Sequence, residues 1–366
     1  MFDRRLVQNF DWTLLGLTFL LGAIGFMTLF SAVSAGSATP HKIIYIKQLI
    51  WLFCGVAAMV IAFLFNYKFL EKWAYGIYAI SIILLGCVLL YGKHVSGAQR
   101  WLVLGPVSIQ PSELVKITVI IVLARFYTKH AESKGLTLRD LIGPVVLMLI
   151  PFALIVRQPD LGTAMIVLLI AGSMTVFVKI ERRSLLSLLV SGTIAIPAVW
   201  FFLKGYQQQR ILTFFNPDRD PLGAGYHIIQ SKIAIGSGMI SGKGFLKGTQ
   251  NALSFLPEQH TDFIFSVLAE EWGFVGSVLL LCIFLMLIVR GLSVAHGSKD
   301  SFGTILGVGI IAMIFWQVFI NIGMVMGLMP VVGVPLPLIS YGGSSTLTVM
   351  ISIGILLNIS MRRFMF

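Results

Sequence analysis

Ten apolar runs, each long enough to cross a bilayer as a helix, dominate this sequence. They cover residues 12–33, 43–65, 73–91, 112–128, 140–157, 161–178, 184–203, 263–289, 302–328 and 344–360. About 20 apolar residues in a helix span the hydrocarbon, so ten runs use roughly 200 residues. Of the 366 residues, 57% are apolar and only 11% are charged, whereas a soluble domain carries about 25% charged residues. A water-soluble enzyme is thereby excluded. The expectation is a single integral membrane domain over residues 1–366: an all-α polytopic protein of about ten transmembrane helices.

An even number of spans puts both termini on one side, and the basic residues say which. With the N-terminus inside, fifteen Lys and Arg fall on inner segments, among them Arg4, Arg5, Lys68, Arg125, Lys134, Arg290, Arg362 and Arg363, against five in the short outer loops. Both termini are therefore expected in the cytoplasm. The formal charge of +12 becomes an orientation signal, and without a basic run of five residues no nucleic acid is expected as a partner. Arg4 and Arg5 precede an apolar run too long for a signal-peptide core, which reads as an uncleaved first span. Cys54, Cys87 and Cys282 all lie within apolar runs without metal spacing, so neither disulfide nor zinc is expected. The one sizeable loop, 204–262, falls outside, between the seventh and eighth spans. Its GAGYHIIQSKIAIG stretch is expected to form a short helix at the membrane interface. No inner segment is long enough for a nucleotide-binding domain, so any chemistry belongs on the outer face.

Ionisable residues at the hydrocarbon are costly and mark function by default. Four groups stand out. Glu113 and Lys116, three apart at the start of the fourth span, share a helix face; they form a structural ion pair, a polar cavity wall, or both. Arg157 and Asp160 flank the turn between spans five and six, where Asp160 caps a helix or the guanidinium holds a phosphate. Glu258, His260 and Asp262 lead into the eighth span, where Asp262 is an N-cap or a partly desolvated general base; Glu270 and Glu271 follow two turns deeper, where they are not expected to face lipid. Before the tenth span, PLPLISYGGSS is irregular backbone that survives at membrane depth only inside protein or along a cavity, with Ser344 or Ser345 as a cap. The segment Gly236–Gly244 is no P-loop, since it has Ser at 237 and Gly after the lysine. Gly323 and Gly327 make a GxxxG spacing suited to helix packing.

RQPDLGTA, NPDRDPLGAGYHIIQSKIAIGSG, GKGF, FLPEQHTDFIFSVLAEEWGFVG and PLPLISYGGSS together resemble the SEDS family (shape, elongation, division and sporulation), along the whole chain. FLKGTQNALSFLPEQHTDFIFSVLAEEWG and MPVVGVPLPLISYGGSS are more similar to the elongation branch than to the division branch. The resemblance implies a ten-span peptidoglycan glycosyltransferase of the bacterial cytoplasmic (inner) membrane that polymerises lipid II on the outer face. It also implies a class B penicillin-binding protein as transpeptidase partner, among other elongation-complex proteins. The family's essential aspartate falls on Asp262, its polar pair on Glu113 and Lys116, and its acidic turn on Asp160. An α-linked diphosphate becoming a β-1,4 bond means inversion, which needs one base, Asp262, and positive charge on the leaving diphosphate, for which Lys116, Arg157 and Arg210 are candidates. A divalent cation, Mg2+ or Mn2+, held by Asp262, Glu113 or Asp160, is left open. The competing readings are a lipid II flippase, a non-enzymatic scaffold and a division paralogue.

Overall fold

The computed structural model describes residues 10–34, 42–95, 98–105, 107–130, 135–203, 205–220, 223–253 and 259–363. Arg4, Arg5, Lys134, Lys204 and Glu258 lie outside the described residues. Each of the ten apolar runs is a helix: α1 (Trp12–Ser34), α2 (Lys42–Leu64), α3 (Lys68–Tyr91), α4 (Pro111–His130), α5 (Ile142–Arg157), α6 (Leu161–Phe177), α7 (Arg182–Phe202), and, after the long loop, α11 (Ile264–His296), α12 (Ser301–Val325) and α13 (Gly343–Arg362). The loop itself contributes α8 (Gly205–Phe215), α9 (Ala224–Ser237) and the single turn α10 (Thr249–Ala252). Among the described residues, six helices, α1, α2, α3, α11, α12 and α13, are long and apolar enough to cross a membrane; α5 and α6 are shorter apolar helices.

The fold is not purely helical. Between α3 and α4 the chain forms an antiparallel sheet of β1 (Lys93–Val95), β2 (Ala98–Leu104) and β3 (Val107–Ile109), in that order. Leu102 pairs with Ile109 and Lys93 with Trp101. The segment between the third and fourth apolar runs is too short and polar to span, and its backbone groups find partners in a hairpin instead.

The centre is built from α4, α12 and α13. Val119, Ile120, Leu123, Ile310, Met313, Ile314, Ile353 and Leu356 are all buried there. The outer helices instead present Phe53, Ile83, Leu90 and Phe274 outward, as expected where lipid replaces water as solvent. Charge collects at the helix ends. At one end, Lys68 meets Asp300 at 2.7 Å, Arg290 meets Asp11 at 3.4 Å, and Arg125 bonds Glu71. The sheet, the long loop and the 326–342 segment lie at the other.

Two local departures from helix matter. The Gly323/Gly327 pair does not make a packing face, because α12 stops before Gly327. Gly327 takes φ +70°, its N–H donates to the Met324 carbonyl at 3.0 Å, and the Leu328 N–H reaches Gly323 at 2.8 Å. That is a Schellman stop, for which a left-handed glycine is the favoured residue. Within α11, Gly273 is non-helical at φ 65°. There the loop 239–244 enters the broken ladder: Lys243 and Gly244 N–H donate to the Glu270 and Glu271 carbonyls, while the Phe274 and Val275 N–H donate to Met239 and Ile240. Glu270, fully buried, accepts from Lys243 Nζ at 2.7 Å and from the Gln250 N–H at 3.0 Å. Glu271 accepts from Ser31. The two acids face protein and pin the loop.

Candidate functional site

A cavity of about 390 Å³ opens among the sheet, the start of α4, the α5–α6 turn, α8 and the 332–345 segment. Asp262, Glu113, Asp160, Arg210 and Ser344 all line it, although they come from five separate parts of the chain. Each is placed by a local rule. Pro111 opens α4 with its fixed φ, which puts Glu113 in the first turn. Lys116, one turn on, is completely buried, and its Nζ lies 2.7 Å from Glu113 Oε1. The other oxygen, Glu113 Oε2, is buried and makes no hydrogen bond within the described residues.

Asp160 caps a helix and lines the cavity at once. Its Oδ1 accepts from the Thr163 N–H at 3.3 Å, capping α6. Its Oδ2 accepts from Gln110 Nε2 at 3.0 Å and from Ser112 Oγ at 3.4 Å. Ser344 lies in the first turn of α13, with Gly342 at the N-cap, and its Oγ accepts from the Gln110 N–H at 2.9 Å. Gln110, just before α4, therefore knits the α6 and α13 N-termini together.

Three candidates sit elsewhere. Arg157, at the end of α5, is exposed and does not line the cavity. The guanidinium at the acidic turn is instead that of Arg100 on β2, which donates to the Pro159 carbonyl and lies 3.9 Å from Asp160 Oδ1. His260 is beside the cavity rather than lining it; its ring tilts against Tyr341 at 5.9 Å, and its carbonyl accepts from the Tyr341 N–H at 2.9 Å. Lys116 is committed to Glu113. Burial raises the Tyr341 phenol above its ordinary pKa. Arg100, Trp101, Gln110, Val332 and Gly333 are lining residues that spacing missed. Because of this, Arg100→Ala is expected to weaken turnover far more than Arg157→Ala in a lipid-linked substrate assay; equal effects would remove Arg100 from the site.

Among the described residues, no three His, Cys, Asp or Glu side chains come together as a metal site. Asp160 accepts hydrogen bonds on both oxygens, and an ion of the Mg2+ or Mn2+ kind is usually held by one or two carboxylates together with substrate phosphates and water. Accordingly, neither ion is expected to raise the melting temperature of the chain alone. A rise abolished by Glu113→Gln or Asp160→Asn would reveal a site.

Membrane-crossing helices around a charged, carboxylate-bearing cavity define a polytopic membrane protein with a site suited to acid–base chemistry and to anionic groups. Residues 9–364 match the cell cycle protein family FtsW/RodA/SpoVE. The chain is 45% identical over 340 residues to the peptidoglycan glycosyltransferase MrdB of Escherichia coli strain K12, covering 92% of this chain and 91% of the relative. It is 35% identical over 433 residues to the peptidoglycan glycosyltransferase RodA of Treponema pallidum, with 98% and 99% covered. Its fold is similar to a chain of a peptidoglycan synthase complex that coordinates polymerization and crosslinking (TM-score 0.81, 33% identity, 97% and 98% covered). It is also similar to the crystal structure of the rod shape determining protein RodA of Thermus thermophilus (TM-score 0.72, 30% identity, 97% and 98% covered). The chain therefore belongs to the FtsW/RodA/SpoVE family, the SEDS family.

Proposed function

We propose that this chain is a peptidoglycan glycosyltransferase of cell elongation, joining lipid II into β-1,4 glycan strands on the outer face of the bacterial cytoplasmic membrane. One observation carries the reading: Asp262, Glu113, Asp160, Arg100 and Arg210 meet in a single cavity, in a chain whose relatives bear that enzymatic name.

In the reaction, the Asp262 carboxylate takes the proton from the acceptor GlcNAc 4-hydroxyl as its oxygen attacks the donor MurNAc anomeric carbon. The bond from that carbon to the diphosphate breaks, and the diphosphate leaves with the electron pair. One displacement inverts the α linkage to β. Arg100 and Arg210 are the lining cations available to the departing diphosphate, because charge is stabilised best by groups already aimed at where it develops. Glu113 and Asp160 line the same cavity, with Arg100 beside Asp160 and Lys116 paired to Glu113.

The topology that goes with this function is one domain over 1–366, ten spans, both termini cytoplasmic and the 204–262 loop outside. Support comes from the ion pairs gathered at the end opposite the cavity. The gathering of the carboxylates Glu113, Asp160 and Asp262 in one cavity supports an enzyme over a flippase, for which ionisable groups are expected through the full depth. An apolar groove of about 350 Å³ between α11 and α12, with Phe284, Leu285, Phe315 and Phe319 along it, supports docking of a membrane helix from a class B penicillin-binding protein.

The test uses purified chain with and without that partner, supplied with lipid II and read as glycan strands on a gel. Strands are the expected product. Lipid II translocation without strands would overturn the reading in favour of a flippase.

A further inference from the structure

Two segments meet at the cavity wall: the turn before α11, which carries Asp262, and the stretch after α12, which carries Gly333. A single buried side chain bonds both. Asn321, near the end of α12 and fully buried, donates from Nδ2 to the Asp262 carbonyl at 2.9 Å and to the Val334 carbonyl at 2.7 Å. Both partners are acceptors only, so the amide nitrogen, with its two hydrogens, is the atom that must face them.

The spacing it sets is narrow. Gly333, next to Val334, takes φ +72°, and a Cβ built there would lie 3.2 Å from Asp262 Oδ2. The gap between carboxylate and loop is therefore about one van der Waals contact. Two further bonds join the same turn to the far part of the loop: Ser340 Oγ to the Thr261 carbonyl at 2.6 Å, and the Tyr341 N–H to the His260 carbonyl at 2.9 Å. Those hold the flanking residues. Asn321 holds the residue that bears the carboxylate, and through Val334 the backbone that faces it.

We propose that Asn321 is a positioning residue for glycosyl transfer, fixing the separation and direction of the Asp262 carboxylate against the Gly333 backbone by one two-pronged amide. This rests on the reading of Asp262 as the base. Displacing a catalytic group by about 1 Å can lower rate about a hundredfold, while substrate contacts made by the rest of the cavity stay in place. The prediction is thus a loss in kcat with little change in KM.

The experiment compares wild type with Asn321→Leu and Asn321→Thr, each with its partner and lipid II, beside hydrogen exchange of the same samples. Asn321→Leu removes both donors. It is expected to lower kcat about a hundredfold with KM within about threefold, and to raise exchange in 260–263 and 333–337 together while α4 and α6 stay unchanged. Asn321→Thr keeps one hydroxyl, which can donate to only one carbonyl; it is expected to fall between and to loosen one segment. It serves as the readout where the leucine variant does not fold. Wild-type kcat, or a loss of rate matched by a general rise in exchange, would overturn the proposal. If wild-type protein makes no glycan yet the two segments still loosen together, the tie stands and the functional reading fails.

Discussion

Asp262→Asn is expected to abolish glycan polymerisation while the protein accumulates, folds and binds its partner as wild type does. The substitution keeps the shape of the side chain and leaves in place the backbone carbonyl that Asn321 grips. What it removes is proton acceptance. General-base catalysis contributes about 10²–10⁴-fold, so strands should disappear from a gel that detects a few per cent of wild-type product. Co-elution with the partner on size exclusion and an unchanged melting temperature would show that chemistry alone was lost. Activity within about tenfold of wild type would contradict the assignment of Asp262 as base.

The second large effect concerns Glu113 and Lys116. Here stability and activity are expected to part company. Lys116→Met strands the Glu113 carboxylate in a buried site, and breaking a buried pair from one side costs about 3–5 kcal/mol. A comparable loss is expected for Glu113→Gln, which leaves the fully buried ammonium alone. The double variant Glu113→Gln/Lys116→Met removes both charges and should regain most of the melting temperature, since replacing a buried pair with packed neutral groups is often neutral or stabilising. Polymerisation should stay lost, because Glu113 lines the cavity. A double variant with wild-type turnover would reduce the pair to a strut. Thermal unfolding in detergent and the lipid II gel read the two properties separately.

The apolar helices were legible because hydrocarbon demands long unbroken apolar segments, a signal that survives without any tertiary information. Asp160 was legible for a similar reason: an acid one residue before an apolar helix, three before Thr163, follows the local rule of N-capping. Arg100 was not. It meets Pro159 across 59 positions of sequence, and no local spacing encodes the folding of a hairpin over a distant turn. Arg157, three positions from Asp160, was the guanidinium that proximity in the chain put forward for a phosphate, yet it ends α5 exposed. Asn321 was hidden for the opposite reason: a lone amide in an apolar run carries no pattern, and its meaning depends on two carbonyls from elsewhere. The Gly323/Gly327 spacing fitted a packing motif as well as a stop, and only the left-handed φ of Gly327 distinguishes them.

The interruption of α11 at Gly273 has a practical consequence. Residues 239–244 carry exposed Met239 and Ile240 and lie in a surface turn, the sort of place usually chosen for an epitope tag, a protease site or a reporter. Yet four main-chain hydrogen bonds of a membrane-crossing rod run through that turn. Lengthening or cutting it would hand those peptide groups back to a solvent that cannot satisfy them. For anyone mapping sidedness or labelling this protein, the turn is part of the rod itself, and probes belong elsewhere on the same face.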